Sequence, residues 1–303
     1  MPPRLHLPPR SIVQYSSLGS LEATTAAQWR QAGILGALGV LHDAGRVLYD
    51  PATTEAQLVA PVLAARAAIG PDVRLMVAFW CGNERAASAE TSHLYPWGDE
   101  PGWLVLRRNL RFLSRACGAA RVYAVLLDAE NYRANVDDSG AHHAGYQNPR
   151  IAWPGGPRDL IDLRARQYVR ALRSAAPALR LGHYLWWRNT DRLRGWLPWV
   201  RALRRHAGGS LLTLLEDTYR YPHGHDATIR AAAQVAGPDV LAGYLWDTPE
   251  LAGGAYAAGI AARRALTPAG VWTFWRDTAA DPGSNHQALP AHAAALGKAH
   301  GKA

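Results

Sequence analysis

The chain's 303 residues are 49% hydrophobic and 19% charged, with 28 Gly and 20 Pro, a balance that fits an ordered globular protein and excludes disordered, collagen-like and low-complexity classes. The formal net charge is +9 and, apart from Lys298 and Lys302, all 33 basic residues are arginine; scattered through helical segments they read as solvated surface, so nucleic acid is not expected as a partner, while acidic glycans or cell-wall polymers suit the charge. Cys81 and Cys117 are too few for a disulfide scaffold and match no metal spacing, no stretch reaches the roughly 18 apolar residues of a membrane span, and the opening lacks the apolar core of a secretory signal.

Residues 1–10 and 298–303 read as poorly ordered tails. Between them, eight apolar or β-branched runs alternate with longer amphipathic stretches. The runs are 11–16 (SIVQYS), 36–42 (GALGVLH), 73–81 (VRLMVAFWC), 122–130 (VYAVLLDAE), 179–186 (LRLGHYLW), 211–217 (LLTLLED), 240–247 (VLAGYLWD) and 271–277 (VWTFWRD). A helix is expected where Leu160, Leu163, Arg164, Gln167, Tyr168, Ala171 and Leu172 recur at three- and four-residue spacing. Gly and Pro mark the joints that return each helix to the next strand, at Gly70-Pro71, Gly118, Gly208-Gly209 and Gly237-Pro238. Eight strand-helix units close naturally into a (β/α)8 barrel, an α/β fold that runs as one domain of roughly 250 residues or more, here 1–303. Excursions at 82–103, after the third strand, and 131–158, after the fourth, are long enough to serve as binding or lid elements.

In such a barrel the C-terminal ends of the strands converge on one cleft. The ends here are polar or aromatic: Trp80, then Asp128 and Glu130 with Tyr132, His183, Tyr184 and Trp186, Glu216, Tyr244, Trp246 and Asp247, and finally Trp275. Carboxylates ringed by aromatic platforms suit a carbohydrate, whose rings offer apolar C–H faces to stack and hydroxyls to bond. The chain has 12 Trp against 3 Phe, which strengthens that reading, although Trp29, Trp196 and Trp199 are expected to pack helices on the barrel. Asp128 and Glu130 stand two apart on one strand and so share a face. Two carboxylates that close cannot both ionise freely, so one is held protonated as a general acid.

The run Val125-Leu-Leu-Asp128-Ala-Glu130 resembles the second half of the Asp-x-x-Asp-x-Asp-x-Glu signature of family 18 glycoside hydrolases, the chitinases and endo-N-acetylglucosaminidases; the two earlier acidic positions are Tyr123 and Leu126 here. The resemblance implies that Glu130 protonates the glycosidic oxygen, while Asp128 assists the substrate's acetamido group as nucleophile. The last run is similar to that family's closing strand, which would make Trp275 the floor of the subsite beside the cut, with Tyr219 or Tyr244 contacting the acetamido group. Without any acetamido group, Glu130 and Glu216 could face each other across the cleft, about 5 Å apart for retention or roughly 6.5 to 9.5 Å for inversion.

The expected function is therefore a glycosidase acting on an oligo- or polysaccharide, with Glu130, Asp128 and Glu216 catalytic and no metal or cofactor required. Two other classes remain open. One is a metal-dependent sugar isomerase or lyase built from His42, Asp43, Glu130, His183, Glu216 and Asp247. The other is a carbohydrate-binding barrel without activity. The chain reads as soluble, either cytoplasmic or secreted with its leader removed.

Overall fold

The computed structural model describes residues 11–17, 36–41, 44–80, 100–128, 158–185, 190–215, 226–245 and 270–274, with positions 27 and 267. Eight strands lie among them: β1 Ser11–Ser17, β2 Gly36–Leu41, β3 Arg74–Trp80, β4 Ala124–Asp128, β5 Arg180–Leu185, β6 Leu212–Leu215, β7 Val240–Leu245 and β8 Gly270–Phe274. Each pairs in parallel with the next, and β8 returns to β1, so the sheet closes. Closure leaves no unpaired sheet edge. All eight expected runs are strands, and the expected α/β class is observed.

Helices fill the connections that the description covers. Between β2 and β3 lie α1 Ala44–Tyr49 and α2 Glu55–Ile69; α3 Glu100–Ala119, α4 Arg158–Leu172, α5 Thr190–Ala207 and α6 Asp226–Ala236 follow β3, β4, β5 and β6 in turn. The helices expected after β1, β7 and β8, both tails and most of the two long excursions lie outside the described residues. Residue 55 opens α2 after Thr54, whose backbone N–H donates to the Gln57 carboxamide at 2.8 Å, the reciprocal half of a capping box. The helix ends at Gly70, whose positive φ of 74° glycine adopts without strain. One boundary differs from expectation: α3 begins at Glu100, inside the stretch 82–103 read from sequence as an excursion.

Alternation along the strands sorts their side chains into two layers. Val13, Met76, Ala78, Leu126, Tyr184, Leu212, Leu214 and Leu241 pack together inside the barrel. Leu75, Val77, Phe79, Val125, Leu127 and Leu181 face outward and join the core built by α2 to α5. Each such Leu or Val, fully buried, contributes about 1.5–3 kcal/mol. Tyr168 and Trp199 meet edge to face at 5.5 Å between α4 and α5, which gives Trp199 the packing role expected of it. Cys117 is buried in this layer, and burial pushes its thiol pKa well up, in keeping with an inert thiol.

Candidate functional site

Because the strands are parallel and in sequential order, residues in register form rows across the barrel. The row nearest the C-terminal ends joins Trp80 to Asp128 and Asp128 to Tyr184, and Tyr184 to Leu214. Below it lie Ala78, Leu126, Gly182 and Leu212, and below that Met76, Ala124 and Arg180. A Cβ on Gly182 would stand 2.8 Å from Leu126 Cγ and closer still to the Leu212 carbonyl oxygen, so glycine lets Leu126 fill the lumen there. The barrel is thus plugged by apolar side chains beneath its upper row, with buried Tyr184 as the polar cover of that plug.

The expected site residues divide accordingly. Trp80 and Asp128 are the last residues of β3 and β4, with Tyr184 beside them on β5. His183 is displaced by one position and takes the other parity: it pairs in register with Leu127 and Thr213, on the side of the sheet that the helices cover. The ring is fully buried, its Nδ1 lies 2.8 Å from the Tyr184 carbonyl oxygen, and burial drives its pKa down to about 4, so it is neutral at physiological pH. Position 244 shares its parity with Val240 and Ala242, which pack with Ile229 and Ala232 of α6. The description of Trp80, Asp128 and Tyr244 covers the backbone alone. Glu130, Tyr132, Trp186, Glu216, Trp246, Asp247 and Trp275 lie outside the described residues, as do His42, Asp43 and Tyr219. Among the described residues, no group of three His, Cys, Asp or Glu could hold a metal ion, and no helix is long and apolar enough to cross a membrane.

Two polar anchors that the sequence pattern did not single out hold the elements leading to and from this row. At the start of α3, where the chain returns from the excursion after β3, the buried Trp103 indole donates to Gln167 Oε1 at 2.6 Å. The Arg164 guanidinium lies 4.9 Å from the Trp103 ring centroid and bonds Glu100 at 2.6 Å. Farther along α3, Asn109 is fully buried and its amide donates to the carbonyls of Val47, Leu48 and Asp50 at 3.0–3.2 Å. It thereby satisfies the C-terminal end of α1, the helix that follows β2. An Asn among Leu106, Leu110 and Leu113 on one helical face was the available signal.

The opposite mouth is closed by structural polar groups. Arg180 bonds Asp239 and the Tyr123 hydroxyl, and Ser210 donates to Asp239. Arg66 spans the carbonyls of Ala120, Gly70 and Val73 at 2.7–2.9 Å. In parallel barrels this face serves stability, whereas the C-terminal face carries chemistry.

No protein-family profile and no curated protein sequence matches the chain. Its structure is similar to the catalytic domain of a beta-amylase from Paenibacillus polymyxa, with a TM-score of 0.57 and 8% identity over 97% of this chain and 100% of that one. It is also similar to an exo-beta-1,4-mannosidase from an Opitutaceae bacterium, with a TM-score of 0.58 and 11% identity over 97% of this chain and 59% of that one. A xylose isomerase domain protein from Planctomyces limnophilus superposes with a TM-score of 0.50 and 14% identity, over 98% of this chain and 97% of that one. At such identities the likeness carries the fold alone: the chain has the parallel α/β barrel architecture found in glycosidases and in that isomerase-like protein.

Proposed function

We propose that the protein is a glycoside hydrolase-like enzyme, a single (β/α)8 domain whose excursions after β3 and β4 flank a cleft at the C-terminal ends of the strands. One observation carries this reading: Trp80, Asp128 and Tyr184 occupy consecutive register positions on β3, β4 and β5, in the uppermost row of the barrel. Residues bearing an indole, a carboxylate and a phenol at adjacent register positions suit the two needs of a sugar ring, a flat apolar surface and polar partners for its hydroxyls. Glu130 stands two positions beyond Asp128, and Glu216 two beyond the interior residue Leu214, so strand alternation assigns both to the same side. The glycosidases among the structural neighbours support the class.

In this reading Glu130 donates its proton to the glycosidic oxygen as the bond to the anomeric carbon breaks. Asp128, adjacent and ionised, keeps Glu130 protonated until then and steadies the positive charge that develops on the sugar. Water completes hydrolysis, with Glu216 as the partner carboxylate where two are required, or with the substrate's acetamido group assisting where it has one. Trp80 and Trp186 hold sugar rings, and Tyr132, Tyr184 and Asp247 contact hydroxyls. Trp246 continues the parity of Ala242, and Trp275 that of Val271, the register partner of Ala242, which assigns both to the helix-covered side. The parity of positions 183 and 244 assigns His183 and Tyr244 to the support of their strands.

A screen of chromogenic glycosides and N-acetylglucosamine polymers tests the reading with wild type beside Glu130→Gln. Turnover of at least one substrate is expected, reduced about 10²–10⁴-fold in the variant with its melting temperature unchanged. A variant that works at the wild-type rate removes Glu130 from the mechanism. Activity abolished by a chelator and restored by Mn or Mg would replace hydrolysis with metal-dependent isomerase or lyase chemistry.

A further inference from the structure

The outer wall built by α3, α4 and α5 carries an arginine array, of which the fold pairs only Arg115 and Arg205 and the proposed chemistry uses none. Arg111 and Arg115 on α3, Arg166 and Arg170 on α4, and Arg201 and Arg205 on α5 are all exposed. Each pair is separated by four residues, so its members stand on successive turns of one helix face, about 6 Å apart along the axis. α3 packs beside α4, and α4 beside α5, which sets the three pairs side by side at a helix spacing of about 8–10 Å. Acidic partners are few: Glu55 takes Arg115 and Asp162 takes Arg205, while Glu100 is engaged by Arg164. Arg111, Arg166, Arg170 and Arg201 have no ion pair among the described residues. Like charges at four-residue spacing work against the helices that carry them, and an anionic partner lying across the wall would reverse that effect.

We propose that this wall docks a linear acidic polysaccharide, one bearing carboxylates along its length. A repeating carboxylate matches paired guanidinium forks, each able to bond two oxygens. A nucleic acid strand fits less well, because strands bound without sequence preference rest their bases on open aromatic faces. Phe112, an aromatic residue of α3, already has the guanidinium groups of Arg108 and Arg115 5.6 and 5.0 Å from its ring centroid. The three helices are the connections that leave β3, β4 and β5, the strands that end in Trp80, Asp128 and Tyr184. The six arginines fall in the second half of each helix, toward the opposite mouth, so a polymer held there is kept at raised effective concentration around the barrel as a whole. This last step rests on the glycosidase reading, while the docking itself does not.

The test measures binding of the Glu130→Gln protein, which leaves the polymer uncut, to polygalacturonate, neutral dextran and a single-stranded oligonucleotide at low and high salt. Polygalacturonate is expected to bind, to bind more weakly in salt, and to lose about tenfold in affinity when Arg166→Gln, Arg170→Gln and Arg201→Gln are combined. Removing the same charge outside these helices, with Arg121→Gln, Lys298→Gln and Lys302→Gln together, should leave affinity within about twofold. The proposal is overturned by unchanged affinity in the array variant, by equal losses in the two triple variants, or by an oligonucleotide that binds as tightly as polygalacturonate. A failed glycosidase reading looks different, since docking would persist while the wild type cleaves no glycoside.

Discussion

His183 couples the barrel's stability to pH. Its folded pKa of about 4 lies below the ordinary 6.5 because the ring is buried, and the contact with the Tyr184 carbonyl offsets only part of that. The unfolded chain therefore takes up the proton first. Stability is complete above about pH 6.5, falls as the pH drops through that value, and stops falling near pH 4, a difference of up to about 3 kcal/mol. Urea unfolding between pH 7 and pH 4 should show this loss in the wild type and a shallower one in His183→Gln; parallel losses would assign the acid sensitivity to another group. From sequence, this histidine looked like a ligand contact, because it stands at a strand end beside Tyr184 and Trp186. Its true side depends on a parity that one-residue steps reverse, and only the register with Leu127 and Thr213 fixes it. Trp199 was legible for the opposite reason, since it stands in a helical segment away from every strand end, and it is buried.

The elements are held to one another by a few buried polar anchors. Asn109 is the clearest: replacement by Leu leaves the carbonyls at the end of α1 buried without their donor, at an expected cost of about 1–3 kcal/mol. Hydrogen exchange should accelerate in Ala44–Tyr49 more than in β3 or β4. Uniform acceleration, or none, would contradict the view that Asn109 pins α1. Strand positions were legible because buried parallel strands are short apolar runs bounded by turn residues. Their starts ran one or two residues early, as at Arg74 and Ala124, because the apolar run begins before the strand does. The start of α3 was hidden for a different reason. Pro101-Gly102 reads as a turn, yet proline fits the first turn of a helix, where its missing N–H would have had no partner.

At the scale of the whole molecule, the barrel separates its two mouths. One is closed by the Arg180, Asp239, Tyr123 and Ser210 network, and toward the other Trp80, Asp128 and Tyr184 stand in register on β3, β4 and β5. The eight strands were legible as apolar runs, whereas the row was not, because it requires the offset of each strand against the next. Two carboxylates at opposite ends therefore have opposite assignments. Asp239→Asn should lower stability by about 1–3 kcal/mol and leave kcat near the wild-type value. The most direct measurement is kcat and Tm for Asp128→Asn, with Asp239→Asn in parallel, on whichever glycoside the wild type cleaves. A fall in kcat of about 10²-fold or more in Asp128→Asn with an unchanged Tm is the predicted result, and a wild-type kcat in that variant would contradict the placement of the chemistry at the ends of β3 to β5.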